Sequence, residues 1–74
     1  MDKIEKDMIH NIEELAELQK ELTKFLRGKL RREKLIEEIA DVEIVLKNIK
    51  KYFDIKELEM IKIWGKKQKK IHEE

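Results

Sequence analysis

A chain of 74 residues with no cysteine is one small domain that no disulfide reinforces, so association between copies is the expected way to complete its core. Charged residues make up 47% of it, yet the net charge is +1, which argues against a generic binder of polyanions. No apolar run is long enough to cross a membrane and the charged N-terminus lacks the apolar core of a signal peptide, so a cytoplasmic protein is expected, and the absence of Pro with only two Gly predicts an all-α fold.

The first helix is predicted from Ile4, Met8, Ile12, Leu15, Leu18, Leu22 and Phe25, whose steps of three and four trace one buried stripe. Asp2 with Glu5 three residues on forms a variant capping box, and Gly28 stands where a helix end needs a left-handed residue. Residues 27–32 then read as a short basic connection. The second stripe runs Leu35, Ile39, Val42, Leu46, Ile49 and Phe53, and the further apolar positions Ile36, Ala40, Ile44 and Val45 predict a central helix that buries more than one face. Asp54 with Glu57 repeats the capping pattern and predicts a turn at 52–54 opening a third helix. That helix carries Ile55, Leu58 and Ile61, and Ile63 and Trp64 extend it to Gly65, where a bend or break could fall. The basic tail 66–74 either continues it or frays. The whole is one domain, 1–74: a helical hairpin plus a C-terminal helix, assembling into a homo-oligomer of four-helix-bundle type.

Charge alternates along this frame. Residues 1–24 hold seven acidic and four basic side chains (−3), 25–36 five basic and one acidic (+4), 37–59 seven acidic and four basic (−3), and 60–74 five basic and two acidic (+3). Within the acidic stretches one pattern occurs twice, Glu13-Glu14-Leu15-Ala16-Glu17-Leu18 and Glu37-Glu38-Ile39-Ala40-Asp41-Val42, with corresponding residues 24 positions apart. Glu14 with Glu17, and Glu38 with Asp41, are spaced i to i+3 and project from one side of a helix. They also hold matched offsets from the two apolar stripes. Antiparallel packing through those stripes would therefore bring four carboxylates into one pocket at the border of the core. Clustered carboxylates repel unless neutralised, and oxygen ligands without His or Cys suit Mg2+, Mn2+ or Ca2+ better than zinc. The spacing equally fits a solvated acidic face, and Glu13 and Glu37, about 100° round from their neighbours, read as solvated.

At these residues the sequence resembles the MazG-like all-α nucleoside triphosphate pyrophosphohydrolases, a family related to the dimeric dUTPases. Glu13-Glu14-x-x-Glu17, a spacer, and Glu38-x-x-Asp41 follow that family's acidic signature, and the resemblance covers residues 9–53. It implies that Glu14, Glu17, Glu38 and Asp41 hold Mg2+, with Mn2+ as a substitute. It implies hydrolysis of a nucleoside triphosphate between the α and β phosphates, in dimers or tetramers whose subunits complete each other's pockets. It further implies basic groups for the phosphates, and Lys67-Gln68-Lys69-Lys70 is similar to the family's basic C-terminal segment, placing Lys67 and Lys70 there, with Lys62 and Lys66 behind them. For the base, His10 and Asn11 precede Glu14 on the same helix, and Tyr52 and Trp64 offer stacking surfaces.

Two other readings use the same residues. A non-catalytic oligomeric interaction module would need only the apolar stripes. A nucleic-acid binder would use Arg27, Lys29, Arg31, Arg32 and the basic tail, against which the acidic face and near-zero net charge count. A di-iron bundle is disfavoured because neither acidic pair contains His.

Overall fold

The computed structural model describes residues 1–73, with side chains through Lys69. It contains three helices and, among these residues, no strand: α1 (Lys3–Leu26), α2 (Arg32–Tyr52) and α3 (Glu57–Glu73). The N-terminal cap forms as the sequence predicts, with the Glu5 N–H donating to Asp2 Oδ1 at 2.8 Å.

Both hairpin helices end in the same hydrogen-bonded turn. In α1 the N–H groups of Gly28 and Lys29 donate to the carbonyls of Phe25 and Lys24, and Gly28 takes φ 70°. In α2 the N–H groups of Asp54 and Ile55 donate to the carbonyls of Lys51 and Lys50, and Asp54 takes φ 53°. These are Schellman turns, which need a left-handed residue just past the helix. Asp54 is thus the left-handed residue closing α2 and not the cap of α3, contrary to the sequence expectation. The start of α3 moves to Glu57, where Glu59 Oε2 reaches back to accept from the Lys56 N–H at 2.9 Å. At Gly65 the helix runs on without a break. Gly28→Ala is expected to lower stability by about 1–2 kcal/mol, read as a lower urea midpoint at unchanged slope, because only the left-handed backbone is penalised; a Cβ there would meet nothing within 4 Å.

A five-residue connection between α1 and α2 returns the chain antiparallel, so that Asp7 and Met8 lie across from Asn48 and Tyr52, and Glu14 across from Asp41 and Val45. The line of contact takes in only part of each apolar stripe. From α1 it takes Met8, Asn11, Glu14, Leu18 and Glu21; from α2 it takes Lys34, Leu35, Glu38, Val42, Val45 and Ile49, all buried or half-buried. Leu15, Leu22, Ile39 and Leu46 remain 39–52% exposed. Each lies about 80–100° round its helix from Glu14 or Glu38. Because the helices are antiparallel, equal offsets fall on one side, and the hairpin carries a continuous apolar flank. Ile36 and Ile44 are exposed as well, so within one chain α2 buries a single face rather than several.

Helix packing among the described residues is confined to α1 against α2. α3 departs from the hairpin, joined beyond the chain itself by a Lys50–Glu57 ion pair at 4.0 Å. The radius of gyration, 15.5 Å, exceeds the roughly 11 Å of a compact chain of this length. No helix is long and apolar enough to cross a membrane among the described residues.

Candidate metal centre

Glu14 from α1 meets Glu38 and Asp41 from α2, with one carboxylate oxygen of each within 4.8 Å of the others. Among the described residues this is the one group of three acidic, His or Cys side chains so placed. The i to i+3 spacing sets Glu38 and Asp41 on neighbouring turns, and the antiparallel pairing supplies Glu14 opposite them. Glu17, expected as a fourth member, holds on α1 the offset that Asp41 holds on α2, yet it is exposed and outside the trio. Glu13 and Glu37 are exposed, as their angular positions predict.

The three carboxylates differ in surroundings. Glu38 is 4% exposed; Lys34 Nζ donates to its Oε1 at 3.1 Å, while Oε2 is buried with no hydrogen-bond partner. Glu14 is half-buried, with His10 Nε2 4.0 Å from its Oε1, and Asp41 is exposed. Lys34 is held above its usual amine range, first by the hydrogen bond to Glu38, then by that carboxylate's charge. A single lysine on one oxygen leaves two further carboxylates and an orphaned buried oxygen. A buried carboxylate oxygen without a donor is costly, and a hard divalent cation removes that cost. Oxygens around Mg2+ lie about 3–4 Å apart, so the trio fits such an ion with modest side-chain adjustment.

Beside the trio the hairpin opens into a cleft of about 300 Å³ lined by His10, Asn11, Glu14, Asp41, Ile44, Val45 and Asn48. A second cleft of about 240 Å³ shares His10, Asn11 and Asn48 with it and extends to Asp7, Met8 and Tyr52. Asn11 is buried, and its amide nitrogen has only a weak contact, 3.9 Å to Met8 Sδ. The chain matches no protein-family model, curated protein or solved structure with which it was compared. Its chemistry is therefore argued from this geometry.

Of the expected phosphate-binding groups, Lys67 is an exposed residue of α3, and the side chain of Lys70 lies outside the described residues. No described side chain of α3 lines either cleft. Trp64, too, is on α3 and exposed, whereas Tyr52 lines the second cleft and packs edge-on against Phe53.

Sequence reasoning missed three residues of this seam and its cleft. Lys34 was signalled by its i to i+4 spacing from Glu38. Asn48 stands seven residues, two turns, beyond Asp41. Glu21, seven residues after Glu14, is buried to 2% exposure, with Lys24 Nζ at 2.9 Å from Oε1 and Oε2 unpartnered. Being 3.6-periodic with Glu14, it had to face α2 as well.

Proposed function

We propose that this chain is a cytoplasmic Mg2+-dependent nucleoside triphosphate pyrophosphohydrolase, with Glu14, Glu38 and Asp41 as the metal-holding set and Glu17 at its rim. The observation that carries the reading is the buried, unpartnered Oε2 of Glu38 inside a three-carboxylate cluster. Glu21 has the same buried, half-satisfied carboxylate, so what marks Glu38 is its convergence with Glu14 and Asp41. The resemblance of the Glu-Glu-x-x-Glu and Glu-x-x-Asp elements to the MazG-like family supplies the reaction class.

When bound, Mg2+, or Mn2+ in its place, would neutralise phosphate oxygens and make a water more acidic. Glu38, clamped by Lys34, is the fixed member. Asp41, open to solvent, is where a water can reach a carboxylate oxygen and give up its proton. The water oxygen adds to the α-phosphorus, the bond from that phosphorus to the αβ-bridging oxygen breaks, and pyrophosphate leaves with the electron pair. The adjoining cleft, with amides from both helices at Asn11 and Asn48, suits the polar edge of the nucleoside. Asn48→Ala is expected to raise KM about tenfold with kcat within threefold, the pattern of a lost ground-state hydrogen bond.

Self-association as a dimer or tetramer accompanies this reading, supported by the bare apolar flank of the hairpin. The same flank favours the alternative, an oligomeric interaction module without catalysis. Pyrophosphate release from ribo- and deoxyribonucleoside triphosphates, with Mg2+ and with EDTA, separates them. Mg2+-dependent release of monophosphate and pyrophosphate is the expected result; silence from a folded oligomer returns the chain to the module reading.

A further inference from the structure

We infer that α3 is a clasp between two copies of this chain: its Met60–Ile61–Trp64 face seats on the apolar hairpin flank of a second copy. This inference stands apart from the catalytic reading and from hairpin pairing alone.

Three observations carry it. Among the described residues α3 packs on neither hairpin helix, yet Met60, Ile61 and Trp64 line one cleft of about 290 Å³ and are 39–64% exposed. In proteins most of a helix's stability comes from packing its amphipathic face, so the 17-residue α3 is expected to have a partner surface. The turn before α3 does not let it fall back as a frayed tail: the Schellman bonds from Asp54 and Ile55 and the Glu59–Lys56 cap fix both sides of the link.

Area decides the kind of partner. The chain exposes 6828 Å², against roughly 4,900 Å² for a compact monomer of its 9.0 kDa. The surplus, about 1,900 Å², is what each protomer of an obligate homodimer hides. Pairing hairpin to hairpin would still leave both α3 helices bare.

Charge selects the surface within the partner. α3, Glu57–Glu73, holds five lysines against three glutamates, so two α3 helices repel one another, whereas the hairpin, residues 1–52, is balanced with twelve acidic and twelve basic side chains. A basic amphipathic arm therefore seats better on the neutral hairpin of a second copy than on that copy's own α3. Exchange of an arm between identical chains is a low-cost route to a dimer, because the flank and the arm already exist in each copy.

Trp64 is the chain's single tryptophan, so its fluorescence reports this contact directly. The full-length chain is diluted through its dissociation range, with mass followed by light scattering and Trp64 emission recorded in parallel. The expected result is blue-shifted emission in the dimer that moves red together with the loss of mass, and a dimer Kd raised at least 30-fold by Ile61→Asp. A dimer whose Trp64 emits as in water would overturn the inference, since the hairpins alone would then hold it. A monomer, whether its Trp64 is buried or exposed, would overturn it too, as would an Ile61→Asp dimer of unchanged Kd. Neither readout involves nucleotide or metal, so it fails or holds independently of the hydrolase activity.

Discussion

Glu38→Gln is expected to reduce Mg2+-dependent pyrophosphate release by about 10³-fold or more, a loss of about 4 kcal/mol in transition-state stabilisation. The substitution keeps size and one acceptor oxygen. It removes the charge that, with Glu14 and Asp41, would hold the cation, and it replaces the orphaned Oε2 or its partner oxygen by a donor. A donor amide aimed at Mg2+ repels it. Lys34 loses its ion pair with Glu38 but keeps Glu37 Oε2 at 3.6 Å and is 37% exposed on its side chain, so helix content and apo stability should stay near those of the parent chain. The companion measurement is the rise in melting temperature on adding Mg2+. Binding to the folded state alone stabilises the parent by RT ln(1 + [Mg2+]/Kd), and that rise should vanish in Glu38→Gln. A variant that keeps the Mg2+ response, or keeps activity, removes the trio from the site.

How much of this was legible depended on whether the determining interaction was local. The Asp2 cap, the left-handed Gly28 and the extents of α1 and α2 follow from contacts within a few residues, and they read correctly from sequence. Asp54 shows where a local signal divides. Asp54-x-x-Glu57 fits a cap, but Ile55 N–H closes on Lys50 and spends Asp54 as a helix terminator, leaving Lys56-x-x-Glu59 to begin α3. The apolar stripes were read as the hairpin's own seam, and only part of each is: Met8, Leu18, Leu35, Val42 and Ile49 go in. Periodicity locates an apolar face without saying whether the same chain or another copy covers it. Here Leu15, Leu22, Ile39 and Leu46 are left to the outside, and Glu14, Glu21 and Glu38 go in. A seam turned by roughly 50° from the centre of each stripe is why Glu21 entered unannounced. The matched offsets correctly brought Glu14, Glu38 and Asp41 to one place, while Glu17, at an equivalent offset, stays out; no local pattern distinguishes it from Asp41.

Glu21→Met is expected to raise stability by about 1–3 kcal/mol, a rise of roughly 10 °C in melting temperature for a domain of this size. Glu21 sits in the same buried seam as Glu38 and has the same half-satisfied carboxylate, so burial alone cannot distinguish the two. Their surroundings do. Glu38 shares its place with two other carboxylates that could converge on a cation, whereas Glu21 belongs to no such group and has Lys24 as its ion-pair partner. Desolvating that carboxylate is unfavourable, and one lysine, itself one-third exposed, recovers only part of the loss. Methionine is close in length, has no charge to desolvate, and adapts its three rotatable bonds to the seam; Lys24 is released to water. Glu21→Ala would not serve, because the gap it leaves offsets the gain. At one fixed protein concentration, Glu21→Met should melt higher and hydrolyse nucleotide at the parental rate, while Glu38→Met should lose activity whatever its melting temperature. If Glu21→Met loses activity together with its Mg2+ response, the cation site extends along the seam to Glu21, and the trio is part of a larger centre.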